Sequence, residues 1–77
     1  MSIKVRYFAS LKDYVGRGED ELSTSASMSA RDAWQRLNPN LTMPDNVLVA
    51  VNMDYMNLDT EVCDGDELAF FPPVTGG

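Results

Sequence analysis

The sequence predicts an α+β domain, a mixed sheet of about five strands with one main helix packed across it. Three observations point there. One stretch keeps a sustained helical period, with Ala30, Ala33, Trp34 and Leu37 at i, i+3, i+4 and i+7. Short segments of strand character stand on both sides of it, in the order strand, strand, helix, strand, short strand, strand. The 77 residues also make one small domain, able to bury only about 60% of the surface its unfolded chain exposes. Such a chain has room for a core but not for an enclosed active-site cavity as well.

Each element has its own reason. Ile3, Val5 and Tyr7 alternate with Lys4, Arg6 and Phe8, the period of two that marks a half-buried strand. The first set faces the core, and Phe8 falls on the side of Lys4 and Arg6, where a large aromatic is out of place. Ser10-Leu11-Lys12-Asp13 offers an N-cap with an acid three residues on, and Leu11, Tyr14 and Val15 share a face. A helical turn or two is expected, closed by Gly16 in left-handed geometry. Arg17 to Ser25 is polar with only Leu22 to bury, and reads as a weak second strand. For the main helix Ser29 is the expected N-cap, with Asp32 near the positive end of the macrodipole and Ser27 as the competing cap. Asn38-Pro39 ends that helix, because the residue before proline is pushed out of the α region. Trp34 is expected as its packing anchor, and the loop to Asn46 carries Leu41 and Met43 as plugs over the core. Val47 to Val51 is β-branched and apolar on both faces, the pattern of a well-covered strand. Asn52 to Asp54 turns the chain into a short edge strand around Tyr55 and Met56. Residues 59–66 read as irregular, ending in an Asp64-Gly65-Asp66 turn that launches the last strand, Glu67 to Phe71.

Composition excludes several classes of function. There is no His, and the single Cys63 has no partner for an internal disulfide, so a Cys/His zinc site and a disulfide framework are both unavailable. A reducing, cytoplasmic home fits best. No apolar signal segment opens the chain and no run approaches membrane-spanning length. The net charge of -6 is unevenly placed: all six Lys and Arg lie at or before Arg36, and seven acids with no base follow it. Phosphate backbones and anionic lipid would be repelled by that second half, so neither nucleic acid nor a membrane is an expected partner. Most of those acids are solvated turn residues, and together they would steer the chain toward a basic surface. Asp64, Asp66 and Glu67 lack the regular oxygen-ligand spacing of a calcium loop, and no metal site is expected. Cys63 has no base, cation or second Cys beside it in sequence to lower its pKa and is read as a bystander.

The most informative stretch is the last one. Pro72 and Pro73 lack the N–H groups a ladder needs, so the sheet stops at Phe71. Residues 1–71 are expected to form the globular domain and 72–77 a flexible arm. Val74, Thr75, Gly76 and Gly77 offer little apolar surface to bury, and the two glycines carry a high ordering entropy. A Gly-Gly end has no Cβ and can thread a slot too narrow for other residues. With no nucleophile–base set or phosphate-cradling loop elsewhere, the reactive group left is the α-carboxylate of Gly77.

Asp64-Gly65-Asp66-Glu67-Leu68 followed by Phe70-Phe71-Pro72-Pro73-Val74-Thr75-Gly76-Gly77 resembles the C-terminal signature of the MoaD-type small, sulfur-carrying subunits of molybdopterin synthase, which are ubiquitin-like proteins. Val49-Ala50-Val51-Asn52 and the opening Ile3 to Ala9, with Leu11 and Val15-Gly16, extend the likeness over the whole chain. The Ser-rich second strand and Cys63 depart from the pattern. The resemblance implies a ubiquitin-like β-grasp, with the first and last strands parallel neighbours in the middle of the sheet. It implies a subunit that is no enzyme on its own and binds no cofactor. An ATP-using, ubiquitin-activating-type adenylyltransferase would adenylate Gly77, sulfur transfer would leave a thiocarboxylate, and the loaded tail would enter the large catalytic subunit, in a heterotetramer of two large and two small chains. There it would give sulfur to cyclic pyranopterin monophosphate to form the molybdopterin dithiolene. A sulfur carrier of another pathway, of the thiamine thiazole type, and a ubiquitin-like protein modifier are the alternatives, and a plain interaction domain with a frayed end is the third.

Given parallel first and last strands, parity predicts a docking surface. Phe71 shares the face of Glu67 and Ala69 while Leu68 and Phe70 point to the core, so Phe8 and Phe71 should meet where the arm leaves. Tyr55 joins them from the family pattern. An exposed aromatic group beside a reactive arm is where a partner buries its anchors.

Overall fold

The computed structural model describes residues 2–73. Its elements in chain order are β1 (Ser2–Tyr7), α1 (Ser10–Val15), β2 (Glu19–Ser23), β3 (Met28–Ser29), α2 (Ala30–Leu37), β4 (Leu48–Val51), β5 (Asp54–Met56), β6 (Glu61–Val62) and β7 (Glu67–Phe71). Five strands form one sheet in the order β2-β1-β7-β4-β5, and β3 and β6 form a separate two-stranded ladder. β1 and β7 run parallel, with Lys4 opposite Glu67 and Tyr7 opposite Phe70, and every other pairing is antiparallel. This is the β-grasp arrangement, with the first and last strands at the centre.

The core lies between the sheet and α2. Ile3, Val5 and Tyr7 from β1, Leu68 and Phe70 from β7, and Val49 and Val51 from β4 meet Ala30, Ala33 and Trp34 from the helix. Alternation on β1 and β7 puts those side chains on one face, and the i, i+3, i+4 spacing on α2 puts its apolar stripe against them. The rings of Tyr7, Trp34 and Phe70 pack together, Trp34 edge-on to both others at 5.7 and 5.2 Å between centroids. Ser29 caps α2 as expected, its hydroxyl accepting from the Asp32 amide at 3.1 Å. Leu41 and Met43 pack on the core edge, and the Trp34 indole N–H donates to the Leu41 carbonyl at 3.0 Å, fixing the loop after the helix.

Four expectations are corrected. Ser10 is not the cap of α1: it is the first helical residue, and Ala9 stands at the cap with no side-chain hydrogen bond. Tyr14 does not go under with Leu11; its ring stays exposed and its hydroxyl reaches across to donate to the Thr42 carbonyl at 2.7 Å. Residues 59–66 are not wholly irregular, because Glu61 and Val62 pair with Met28 and Ser29. That excursion completes the start of α2, whose Ala30 and Arg31 amides donate to the carbonyls of Thr60 and Leu58, each at 3.0 Å, so donors left free by helix geometry are satisfied. Finally, β4 is covered less completely than its apolar run predicts: Val49, Ala50 and Val51 are buried, but Leu48 stands 37% exposed on the side away from α2.

A buried polar latch joins α2 to β1. The Asn38 side-chain amide donates to the Tyr7 hydroxyl at 3.1 Å and its oxygen accepts from the Arg17 guanidinium at 2.9 Å. Arg17 also lies over the Tyr7 ring, 5.6 Å from its centroid, and donates to Asp20 at 2.6 Å. Burial pushes the Tyr7 hydroxyl above the ordinary tyrosine range; the Asp20 charge adds to the rise, while Asn38 and Arg17 oppose it.

Candidate functional site

Two neighbouring aromatic pairs, Tyr7-Phe8 and Phe70-Phe71, are sorted by strand parity onto opposite faces of the sheet. Tyr7 and Phe70 turn inward to anchor the helix. Phe8 and Phe71 turn outward and stack with their centroids 4.7 Å apart and their planes 5° from parallel. The Phe8 amide still donates to the Phe70 carbonyl at 3.1 Å, which holds β1 and β7 in register to the last position before the chain bends away. Tyr55, 71% exposed on β5, leans toward Phe71 with 5.9 Å between ring centroids. It reaches past β4 because the β4 residue level with it is Ala50, whose methyl leaves the space open.

These rings edge a shallow apolar hollow on the outer sheet face. Ala50 and Ala69 are directly opposed in the ladder and form its floor. Phe8 and Phe71 close one end, Tyr55 and Met53 stand along the β5 side, and Arg6 and Glu67 supply opposite charges at the rim. The two alanines are nearly buried although they face outward, because the larger side chains around them cover their methyl groups. Sequence reasoning placed Phe8, Phe71 and Tyr55 and put Ala69 on this face without reading it as a floor, and it missed Ala50 and Met53. Strand parity on β4 carried the signal for Ala50, but the apolar content of both β4 faces hid it.

β7 delivers the chain from this face to Pro72 and Pro73, and the flexible arm expected over 72–77 lies mostly outside the described residues. Pro72 is half-buried and Pro73 exposed; Val74, Thr75, Gly76 and Gly77, on which the carrier chemistry was expected, lie outside the described residues. The Asp64-Gly65-Asp66-Glu67 stretch has a structural task. Gly65 adopts a φ of +91°, and the Asp66 carboxylate accepts from the Cys63 amide at 2.8 Å and from the Asn52 side-chain amide at 3.0 Å. Asn52 in turn accepts from the Glu67 amide at 3.0 Å, tying the β4–β5 turn to the start of β7. Cys63 is exposed and unbridged. Among the described residues no group of three or more His, Cys, Asp or Glu side chains is placed to hold a metal ion. No described helix is long and apolar enough to cross a membrane.

A β-grasp that carries an aromatic face at the exit of a Gly-Gly terminus defines a ubiquitin-like carrier class. The chain belongs to the ThiS family, whose model matches residues 5–77. It is 39% identical to the molybdopterin synthase sulfur carrier subunit of Escherichia coli K12, over 97% of this chain and 99% of that one. Among solved structures, SAMP1 from Haloferax volcanii superposes with a TM-score of 0.78 at 26% identity, covering all of both chains. A chain of the complex of subunits 1 and 2 of the molybdopterin-converting factor from Helicobacter pylori matches with a TM-score of 0.61 at 25% identity, also over the full length of both.

Proposed function

We propose that this chain is the small, sulfur-carrying subunit of a molybdopterin synthase, non-catalytic by itself, and that its reactive group is the α-carboxylate of Gly77. A carboxylate resists nucleophiles because its charge repels them and its oxygen leaves poorly, so it must be activated. An ATP-dependent adenylyltransferase of the ubiquitin-activating kind forms the Gly77 acyl-adenylate with release of pyrophosphate. A sulfur nucleophile then displaces AMP to leave the thiocarboxylate. The arm inserts into the large catalytic subunit and delivers sulfur to cyclic pyranopterin monophosphate, with repeated loading completing the dithiolene; two small and two large subunits form the assembly. Gly76 and Gly77 suit this because they thread a narrow passage and leave the carbonyl unhindered, and Pro72 and Pro73 hold the arm away from the body. Enclosure in the partner protects the activated species from water.

The observation that carries the reading is the stacked Phe8–Phe71 pair with Tyr55 beside it, at the end of β7 from which the arm departs. A partner seated there, anchored on the aromatic rings, would receive the arm directly. The relatives named as sulfur carrier subunits and the two-subunit complex support the same partner. The test is intact mass after incubation with an activating enzyme, ATP and a sulfur donor. The expected product is heavier by one oxygen-to-sulfur exchange, located on the terminal fragment, and deletion of Gly77 abolishes it without unfolding the domain. Isopeptide conjugates to lysines with no thiocarboxylate would establish a protein modifier instead.

A further inference from the structure

The β4–β5 hairpin turns on two residues, Asn52 and Met53, both at positive φ, +51° and +72°. A two-residue turn of this hand is ordinarily Asn-Gly, since asparagine tolerates the left-handed region and glycine has no Cβ to clash there. Asn52 fits that pattern and is held by Asp66 and Glu67. Met53 does not. It occupies the glycine position, and with 89% of its surface exposed it gains little packing within the chain to offset the strain.

What Met53 does have is a place on the outer face. It lies along the same hollow as Tyr55 and Phe71, toward the end of β7 where Glu67 starts and away from the arm. A thioether is unbranched and polarizable, and it moulds to an apolar partner surface better than other side chains of its size. Resting on the docking reading above, we infer that Met53 is a contact residue for the large catalytic subunit. The interface then runs the length of β7, about 13 Å at strand rise, from the Phe8–Phe71 stack to the hairpin tip. An apolar side chain of the large subunit fills the Ala50–Ala69 floor between them.

The experiment compares Met53→Gly, Met53→Ala and Phe71→Ala in the full chain, reading thermal stability and the affinity and dissociation rate of the purified large subunit. Met53→Gly relieves the backbone and raises Tm. It also weakens binding about fivefold or more, mainly through faster dissociation. Met53→Ala, which removes the thioether without freeing the backbone, weakens binding to a similar degree. If both Met53 variants bind like wild type while Phe71→Ala binds worse, the face ends before the hairpin and the inference is overturned. If Met53→Gly alone weakens binding, Met53 acts through hairpin rigidity and the contact is refuted. If Phe71→Ala also binds normally, the docking face itself is wrong.

Discussion

At the scale of single residues, adjacent aromatics in one strand carry opposite duties. Phe70 is fully buried against Tyr7 and Trp34, and Phe71 next to it is only half-buried, against Phe8. Truncating Phe70 leaves a core cavity, and Phe70→Ala should cost about 3 to 5 kcal/mol of stability. Phe8→Ala removes an outward stack worth about 0.5–1.5 kcal/mol and should shift unfolding little. The order reverses for partner binding per folded molecule, where Phe8→Ala should cost about 2 kcal/mol or more. Denaturant unfolding and titration with the large subunit check both halves. A large stability loss for Phe8→Ala with intact affinity would show that this ring belongs to the fold and not to the interface.

At the scale of elements, α2 is fastened to β1 by the Tyr7–Asn38–Arg17 latch. Tyr7→Phe strands a buried Asn38 N–H and should destabilise by about 1–3 kcal/mol near neutral pH. Because burial raises the Tyr7 pKa in the folded state, this tyrosine supports the fold fully below the unfolded value of about 10, and that support is lost as pH rises through the raised value. The stability gap between wild type and Tyr7→Phe should therefore narrow above about pH 10, measurable by denaturant unfolding across alkaline pH. A gap that widened there would contradict the burial argument. The latch was not legible in the sequence, since Arg17, Asn38 and Tyr7 are far apart along the chain and only the fold brings them together. The strand parity of β1 and β7, the Ser29 cap and the Ala30–Leu37 stripe were legible because each follows from a local period or a local hydrogen bond. The β3–β6 ladder was not, because two-residue strands have no period to read, although they bury Met28 and Val62 in the core and complete the start of α2. The outer face lay between these cases: Phe8 broke its own strand's pattern and so announced itself, whereas Ala50 and Ala69 matter by being small, which no pattern marks.

At the scale of the whole molecule, the sheet divides the labour. Its inner face closes on α2 and makes the fold, its outer face offers an apolar hollow, and β7, central in the sheet, leads from both to Pro72 and Pro73. The seven acids after Arg36 include Asp54, Asp64, Asp66 and Glu67, which the fold gathers near the start of β7, opposite the end that Pro72 follows. In the proposed function, Gly77 hands sulfur to a substrate held by a large subunit docked on the outer face. Its most direct test is single-turnover transfer: thiocarboxylated protein is mixed with the large subunit and cyclic pyranopterin monophosphate, and the masses of carrier and pterin are followed together. The carrier is expected to return to its carboxylate mass as sulfur enters the pterin, and Phe71→Ala is expected to slow this without altering the loaded terminus. A carrier that stays loaded beside its substrate, or that loses sulfur to water with none reaching the pterin, would contradict it.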